Sequence, residues 1–561
     1  MRRLDLSLPV WGLATLILIV LMGLPLGWLV TLSVGGAQGP TAAYYLDALG
    51  NVQLRRAVWN TVIMAFWVGV LSVALGAPLA WLTARTDLPG RRLLRALVMA
   101  SFVTPPFLGA VAWVMLAGPN AGALNKLWRG LTGSEAAAVN IFTMTGLVFV
   151  VAIYTFPYVY VMIGNTLELI ASDVEDAAAM LGAGRMAVAR TVTLPLVAPA
   201  ILSGFIVSVL QALALFGSPA ILALPAGFHT LTTQVWGMFH YPPRVETAAA
   251  VSMPLLVATA LLLTLQRRLL GRRGYAAVGG KGGSRRRLVL GRWRYPALLF
   301  CALVMACAVF LPYGILAKAA FARAWAQPLT WDNLTLRNWT FTFFEYSATQ
   351  SAIVNTLELG LLTASVGAAL AALLAYVARR KAVMGHQLIG FLALMPIAIP
   401  GVVLAVALFI AYTRPPLILY GTLWILFVAY VTKEMPVGYA QADATFRTIP
   451  AELEEAGRIL GAGRLRVLGE VTAPLARSGI IAAWCFIFIG VIRELSASII
   501  LFTPATKVMS VVIFDLKEEG QFGAIAVLGL FMLVMTFAIV VLMQTLLGRD
   551  VMGARQSGGA G

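Results

Sequence analysis

Charge, cysteine and histidine are all scarce in this chain. Of its 561 residues only 11% are Asp, Glu, Lys or Arg, 60% are hydrophobic, and the mean hydropathy is +0.88. A soluble protein could not cover its surface with so little charge, so that class is excluded and a polytopic membrane protein remains. The three cysteines, Cys301, Cys307 and Cys485, sit in apolar segments without CxxC spacing. That excludes a disulfide framework or a thiolate metal site, and they read as small packing residues. His229 and His240, eleven residues apart, make a weak metal pair and read as loop contacts. No GxxxxGK[ST] occurs: Gly280-Lys281-Gly282 lacks both the spacing and the Ser or Thr, so this polypeptide does not hydrolyse ATP by itself. Acid is the scarcer sign of charge, 23 residues against 41 Lys and Arg, and 267–294 holds ten basic residues and no acid.

That basic excess would suggest nucleic acid in a soluble protein, but here its placement decides against it. Arg2, Arg3, Arg85, Arg91, Arg92, Arg95, Arg379, Arg380, Lys381 and the 267–294 stretch all fall on one side of the membrane if the N-terminus is inside. Apolar runs long enough to cross a ~30 Å hydrocarbon core lie near 9–33, 57–83, 96–117, 139–163, 196–222 and 247–266. A second set lies near 295–317, 353–378, 387–411, 417–440, 478–502 and 523–547. The first run is too long for a signal-peptide core and lacks a cleavage site, so it reads as a retained helix. The fold class is therefore all-α, with about twelve transmembrane helices in two six-helix repeats. An even number of helices per repeat makes the repeats parallel, unlike inverted-repeat secondary transporters. The expected organisation is a first half over 1–266, a basic cytoplasmic linker over 267–294, a second half over 295–548 and a cytoplasmic tail over 549–561. Paired landmarks support the duplication: Asn60-Thr61 with Asn355-Thr356, Ala80-Trp81 with Ala375-Tyr376, Arg85 with Arg380, and Pro157 with Pro436. Pro105 likewise falls opposite Pro400. A transmembrane proline frees a backbone carbonyl, so Pro105, Pro106, Pro396 and Pro400 are candidates for broken helices lining a pathway, or else for packed kinks.

Two polar segments, one per half, are nearly the same. Glu175-Asp176-Ala177-Ala178-Ala179-Met180-Leu181-Gly182-Ala183-Gly184-Arg185 runs on to Leu194-Pro195. Glu454-Glu455-Ala456-Gly457-Arg458-Ile459-Leu460-Gly461-Ala462-Gly463-Arg464 runs on to Ala473-Pro474. Ser172 and Glu175 have capping-box spacing around Asp173. Pro450 suits a first helical position, and Glu452, Glu454 and Glu455 follow it, as acids near a helix start should. Gly182 and Gly461 fall where the short helix must end with positive φ. Read from residues alone, each copy is either an interfacial helix that caps the bundle or a docking element.

The Glu-Ala-Ala start, the glycine seven residues after the Glu and the closing proline resemble the "EAA" signature of permease subunits in bacterial ABC importers. The second copy departs from it at Gly457 and Ala473. The whole layout resembles the fused two-in-one permeases of the ferric-iron and thiamine importer group, as does Arg493-Glu494-Leu495-Ser496-Ala497-Ser498 followed by Pro504 and Asp515. The resemblance implies a type I importer permease in the bacterial inner membrane, with both termini cytoplasmic. It implies coupling helices that dock two copies of a separately encoded ATPase, which would bind ATP and Mg, and a periplasmic binding protein on the opposite face. The coupling residues it points to are Asp173, Glu175, Asp176, Gly182 and Gly184 in the first copy. In the second they are Glu452, Glu454, Glu455, Gly461 and Gly463. No cofactor, resident metal or nucleic acid is expected in this chain, and membrane lipid surrounds it.

Arg493 and Glu494 fall deep in the eleventh apolar run, where a charge must face protein or a water-filled path. Their counterparts, Ala214 and Leu215, are apolar, so the scaffold does not demand the pair. They read either as pathway residues or as partners in a salt bridge to another helix. Lys433-Glu434 reads as a structural pair and Glu358 as interfacial. Glu494 would suit ferric iron, which takes hard oxygen ligands; Arg493 would suit an anion such as a phosphonate. Ferric iron is the leading expectation, with thiamine, 2-aminoethylphosphonate or a polyamine as alternatives. A proton-coupled secondary transporter or a non-transporting scaffold are the other classes.

Overall fold

The computed structural model describes residues 7–36, 39–170, 177–178, 180–271, 288–381, 386–415 and 417–547. Among these the only strands are the two-residue pair Gly35–Gly36 and Gly39–Pro40. The chain is an all-α polytopic membrane protein. Nine of its described helices are long and apolar enough to cross a bilayer, and two bent helix pairs bring the number to eleven. The remaining expected span, near 417–440, is the helix Leu423–Arg447; it is long enough, at 25 residues, but carries Lys433 and Glu434.

The bent pairs are the runs expected at 96–117 and 387–411, and neither is one straight helix. Arg91–Val103 meets Pro106–Ala117 at 100°, and the helical stretch His386–Ala398 meets Gly401–Tyr412 at 108°. The cause is local. A proline ring drives the residue before it out of the α region. Thr104 and Pro105, each followed by a proline, have ψ of 128° and 126°, and Ile399, ahead of Pro400, has ψ of 111°. Pro105, Pro106 and Pro400 therefore sit at helix breaks, whereas Pro396 lies in the 3-10 turn Met395–Ala398 that leads into one. Two further runs are also interrupted. Leu194–Ala214 stops before Gly217–Leu222, and Ala473–Ile492 stops before Ser498–Leu501. Arg493 and Glu494, expected deep within a helix, lie in the second of these breaks.

The chain forms two compact units. One holds Met1–Leu46, Met238–Met253 and Trp339–Gly561; the other holds Asp47–Gly237 and Pro254–Asn338. At the centre of the second unit, Val52–Arg85, Met144–Leu169 and Leu194–Ala214 pack together. Their sequence counterparts Ser347–Arg379, Leu423–Arg447 and Ala473–Ile492 do the same in the first. The leading helix of each sequence half is exchanged. Ser7–Val34 packs on Gly401–Tyr412 and Ser347–Arg379, burying Leu18, Met22 and Leu29. The span Gly291–Ala320 packs on Pro106–Ala117, with Tyr313 Oη and Thr104 Oγ1 hydrogen-bonded at 2.6 Å. Ser7–Val34 is apolar nearly throughout, and such a helix has no stripe that declares its neighbour.

Close approach of the broken helix to its unit depends on Gly109. A methyl group there would overlap the ring of Tyr154, one of the largest fully buried side chains. Gly314, in Leu311–Ala320, faces open space. Gly109→Ala is expected to lower stability by about 1–3 kcal/mol through overpacking. Gly314→Ala should be neutral or stabilising by up to about 1 kcal/mol, as expected of Gly replaced in a helix. Thermal inactivation of the purified protein in detergent compares the two, and equal behaviour would refute the packing argument.

Candidate functional site

In the second twin segment the backbone turns at Ile449, and Pro450 occupies the N-cap of Ala451–Ile459, one position earlier than the sequence suggested. Glu452 and Glu455 point to solvent, but Glu454 is buried. One of its oxygens, Oε1, accepts from Arg380 Nε at 2.9 Å and from Thr472 Oγ1 at 3.0 Å; Oε2 accepts from Tyr376 Oη at 3.1 Å. Arg380 also donates through Nη2 to the Ile449 carbonyl at 3.0 Å. The carboxylate thus ties the short helix to the end of Ser347–Arg379 and to the turn that follows the motif. A polar hollow of about 120 Å³ opens beside it, lined by Tyr376, Arg380, Glu454, Glu455 and Arg458.

The short helix ends as its glycine requires. Gly461 has φ +88°, its N–H donates to the Arg458 carbonyl at 2.9 Å, and Ala462 N–H donates to Gly457 at 3.2 Å. This pair of bonds is a Schellman ending, and only glycine adopts that φ without strain. Gly182 has φ +87°, and Ala183 N–H donates to Ala178 at 3.1 Å, so the first copy ends alike. Each copy continues through a four-residue helix, Arg185–Val188 or Arg464–Val467, into a π turn, Ala189–Thr193 or Leu468–Thr472. Both π turns end two residues before a proline, Pro195 or Pro474. A third, Ala306–Phe310, precedes Pro312 in the same way. Proline lacks an N–H and its ring clashes with the carbonyl four residues back; widening the preceding turn accommodates it.

Asp173, Glu175 and Asp176 lie outside the described residues. Just before them, buried Arg85 donates to the Ile170 carbonyl at 3.1 Å, as Arg380 does to Ile449. Thr193 is buried at the place of Thr472. The sequence reads Arg85 and Arg380 as positive charges beside the membrane and as matched landmarks, each 25 residues after Asn60 or Asn355; that match was the available signal for a shared role.

Away from this root, the tip of each copy is exposed and apolar. Met180 and Leu181 are 84% and 89% exposed, and Ile459 and Leu460, at the same offsets, are 85% and 87% exposed. Gly184 and Gly463 stand in open space with no positive φ, so the chain's own packing does not require glycine there. A family model described as "Binding-protein-dependent transport system inner membrane component" matches residues 76–274 and 367–552. The chain belongs to this family. Among its relatives are "Ferric transport system permease protein FbpB" of Actinobacillus pleuropneumoniae, 24% identical over 89% of this chain and 72% of that protein, and "Fe(3+)-transport system permease protein FbpB 2" of Haemophilus influenzae, 21% identical over 91% and 93%. A chain from the crystal structure of a bacterial ABC transporter involved in import of the acidic polysaccharide alginate is also similar. It is 20% identical, with a TM-score of 0.38, over 47% of this chain and 98% of that one.

In this transport component the helix breaks of each unit converge. Ser218 Oγ, beyond the Leu215 break, donates to the Pro106 carbonyl at 3.0 Å, and Thr232 Oγ1 donates to the Leu215 carbonyl at 2.9 Å. In the other unit Gly401, next to Pro400, lies against Lys433, Glu494 and Ser496. Lys433 forms an ion pair with Glu494, not with its neighbour Glu434. Glu494 Oε1 accepts from Ala497 N–H at 2.7 Å, and its backbone carbonyl accepts from Ser498 Oγ at 3.0 Å and Ser510 Oγ at 2.6 Å. Glu494 thus makes a salt bridge to another helix.

Two outcomes follow from these anchors. Glu454→Ala strands a partly buried guanidinium that keeps only its bond to the Ile449 carbonyl, and removing one member of a buried pair costs at most roughly 3–5 kcal/mol. Thr472→Val removes one hydroxyl donor to the carboxylate and should cost less, about 1.5–3 kcal/mol. Thermal inactivation should rank them in that order. For the second ion pair, Lys433→Met and Glu494→Leu singly should each destabilise by several kcal/mol, roughly as above. The double variant should recover part of the summed loss, giving a double-mutant coupling of at least about 1 kcal/mol. Strict additivity would show that the pair does not hold the break.

Proposed function

We propose that this chain is the transmembrane permease of an ABC importer, in which the twin segments dock two copies of a separate ATPase. ATP and Mg belong to that partner, and closure of its two subunits drives the permease between outward- and inward-open states, a bistable rigid-body change. A periplasmic binding protein delivers substrate to the opposite face, and both termini lie in the cytoplasm. The observation that carries the reading is the matched apolar tip. Met180-Leu181 and Ile459-Leu460 project beyond elements rooted by buried hydrogen bonds. Each tip ends on a positive-φ glycine and is followed by a glycine the fold itself does not need. An element meant only to cap a bundle would turn its apolar residues towards the bundle.

For the substrate we propose ferric iron. The support is that relatives matching most of the chain carry ferric transport in their names. The test is reconstitution in proteoliposomes with the partner ATPase and binding protein. Uptake of labelled ferric iron should require ATP, and uptake driven by a proton gradient without ATP would sink the importer reading. ATP-dependent uptake of thiamine, a phosphonate or a polyamine in place of iron would correct the substrate alone. Leu181→Asp and Leu460→Asp should leave membrane insertion intact while lowering ATPase copurification by about tenfold or more, as truncation of an interface hot spot does. Unchanged copurification in both variants would remove the docking assignment.

A further inference from the structure

A second charged surface lies beside the tether of the first twin segment, where the chain enters the span Gly291–Ala320. Leu288 pairs with the loop after Val52–Arg85. Its N–H donates to the Arg85 carbonyl at 2.9 Å, Asp87 N–H donates to the Leu288 carbonyl at 3.1 Å, and Leu290 N–H donates to Asp87 Oδ1 at 3.0 Å. These three bonds fix the start of the span beside the start of Arg91–Val103, and the helices Arg91–Val103 and Arg294–Met305 pack together. Arg92 from one element and Arg292 and Arg294 from the other are thereby gathered at one end of the unit, all exposed. None of the three has a carboxylate partner among the described residues. Asp87 is the one acid in 85–103 and 288–305, and it already accepts from Leu290. Glu168, contributed by Met144–Leu169, pairs with Arg95 at 3.1 Å.

The flanks of the patch are apolar and aromatic. Leu93, Val289, Trp293 and Tyr295 are each more than 60% exposed, and the Arg294 guanidinium lies 5.4 Å from the centre of the Tyr295 ring. Exposed Trp and Tyr at the start of a membrane span belong at the headgroup level. An arginine cluster at that depth meets phosphate, and a basic pocket between helices at a membrane face recognises anionic headgroups. A soluble acidic partner would leave Leu93, Trp293 and Tyr295 unexplained.

We propose that Arg92, Arg292 and Arg294 form a site for the phosphate headgroup of an anionic phospholipid, with Trp293 and Tyr295 against its glycerol region. The site needs only a membrane at this face and is independent of substrate and ATPase. Each basic residue near an anionic surface raises association roughly fivefold. The full chain, purified in detergent and exposed to an equal mixture of phosphatidylglycerol and phosphatidylcholine, should retain the anionic lipid at least about tenfold more by native mass spectrometry. R92Q/R292Q/R294Q should bring that preference close to unity, while the triple lysine variant keeps most of it. Should the triple glutamine variant fail to remain monodisperse, R92Q alone and R292Q/R294Q carry the test, each with a partial loss. Equal retention of both lipids by the unaltered chain, or a preference undiminished by loss of the arginines, overturns the proposal. Displacement of the lipid by millimolar inorganic phosphate also overturns it, since that would mark a site for a soluble anion.

Discussion

Inside a bilayer a helix can be interrupted only where its freed amides and carbonyls meet other polar groups. The prolines interrupt one helix in each repeat, and a second helix in each breaks beside it. The broken ends supply partners for one another. Ser218 serves the Pro106 carbonyl in one unit; Glu494, Ser498 and Ser510 form a cage of bonds around the break in the other. The need to satisfy the backbone thus explains why serines and a charged pair occur in segments that are otherwise Val, Ile, Leu and Ala. It also explains why Gly401 stands at the meeting point, since a side chain there would crowd Lys433 and Ser496.

The same logic orders the twin segments. A carboxylate removed from water must be paired and hydrogen-bonded, and Glu454 has three donors from two directions. Its position in the motif is therefore inward, at the root, while the apolar residues five and six places later form the exposed tip. The motif divides into a part that holds the element to the membrane helices and an exposed apolar tip. The acidic residues on either side, Glu452 and Glu455, remain in solvent and do not share the anchoring role.

Much of this was legible in the chain itself. The duplication, the breaks at Pro105 and Pro400 and the positive φ at Gly182 and Gly461 all come from rules that act on neighbouring residues: proline sterics and the demands of a helix end. The contacts that were not legible are long-range. Nothing in a uniformly apolar Ser7–Val34 tells which helices it will join, and the exchange of leading helices is invisible to hydropathy. Lys433 was read with Glu434 because they are adjacent, yet successive helical residues diverge by about 100°, and the partner sits 61 residues away across a helix break. Arg380 was counted among the basic residues that set topology. Only the fold shows that its guanidinium is used up within the motif.

The two repeats are alike at the tips and unlike in the membrane. Positive-φ glycines and π turns recur at equal offsets within the twin segments, an arginine tether recurs before each, and even the departure at Gly457 has a local cause, since a methyl there would come within 3.1 Å of Val467 Cγ2. The positions of Lys433 and Glu494, by contrast, are taken in the first repeat by Tyr154 and Leu215, with Tyr154 packed on Gly109. One break is closed by an ion pair and the other by an aromatic ring. Breaking the first exposes two charges that prefer water; breaking the second exposes apolar surface that does not. The two repeats therefore close their breaks by different means, electrostatic in one and apolar in the other.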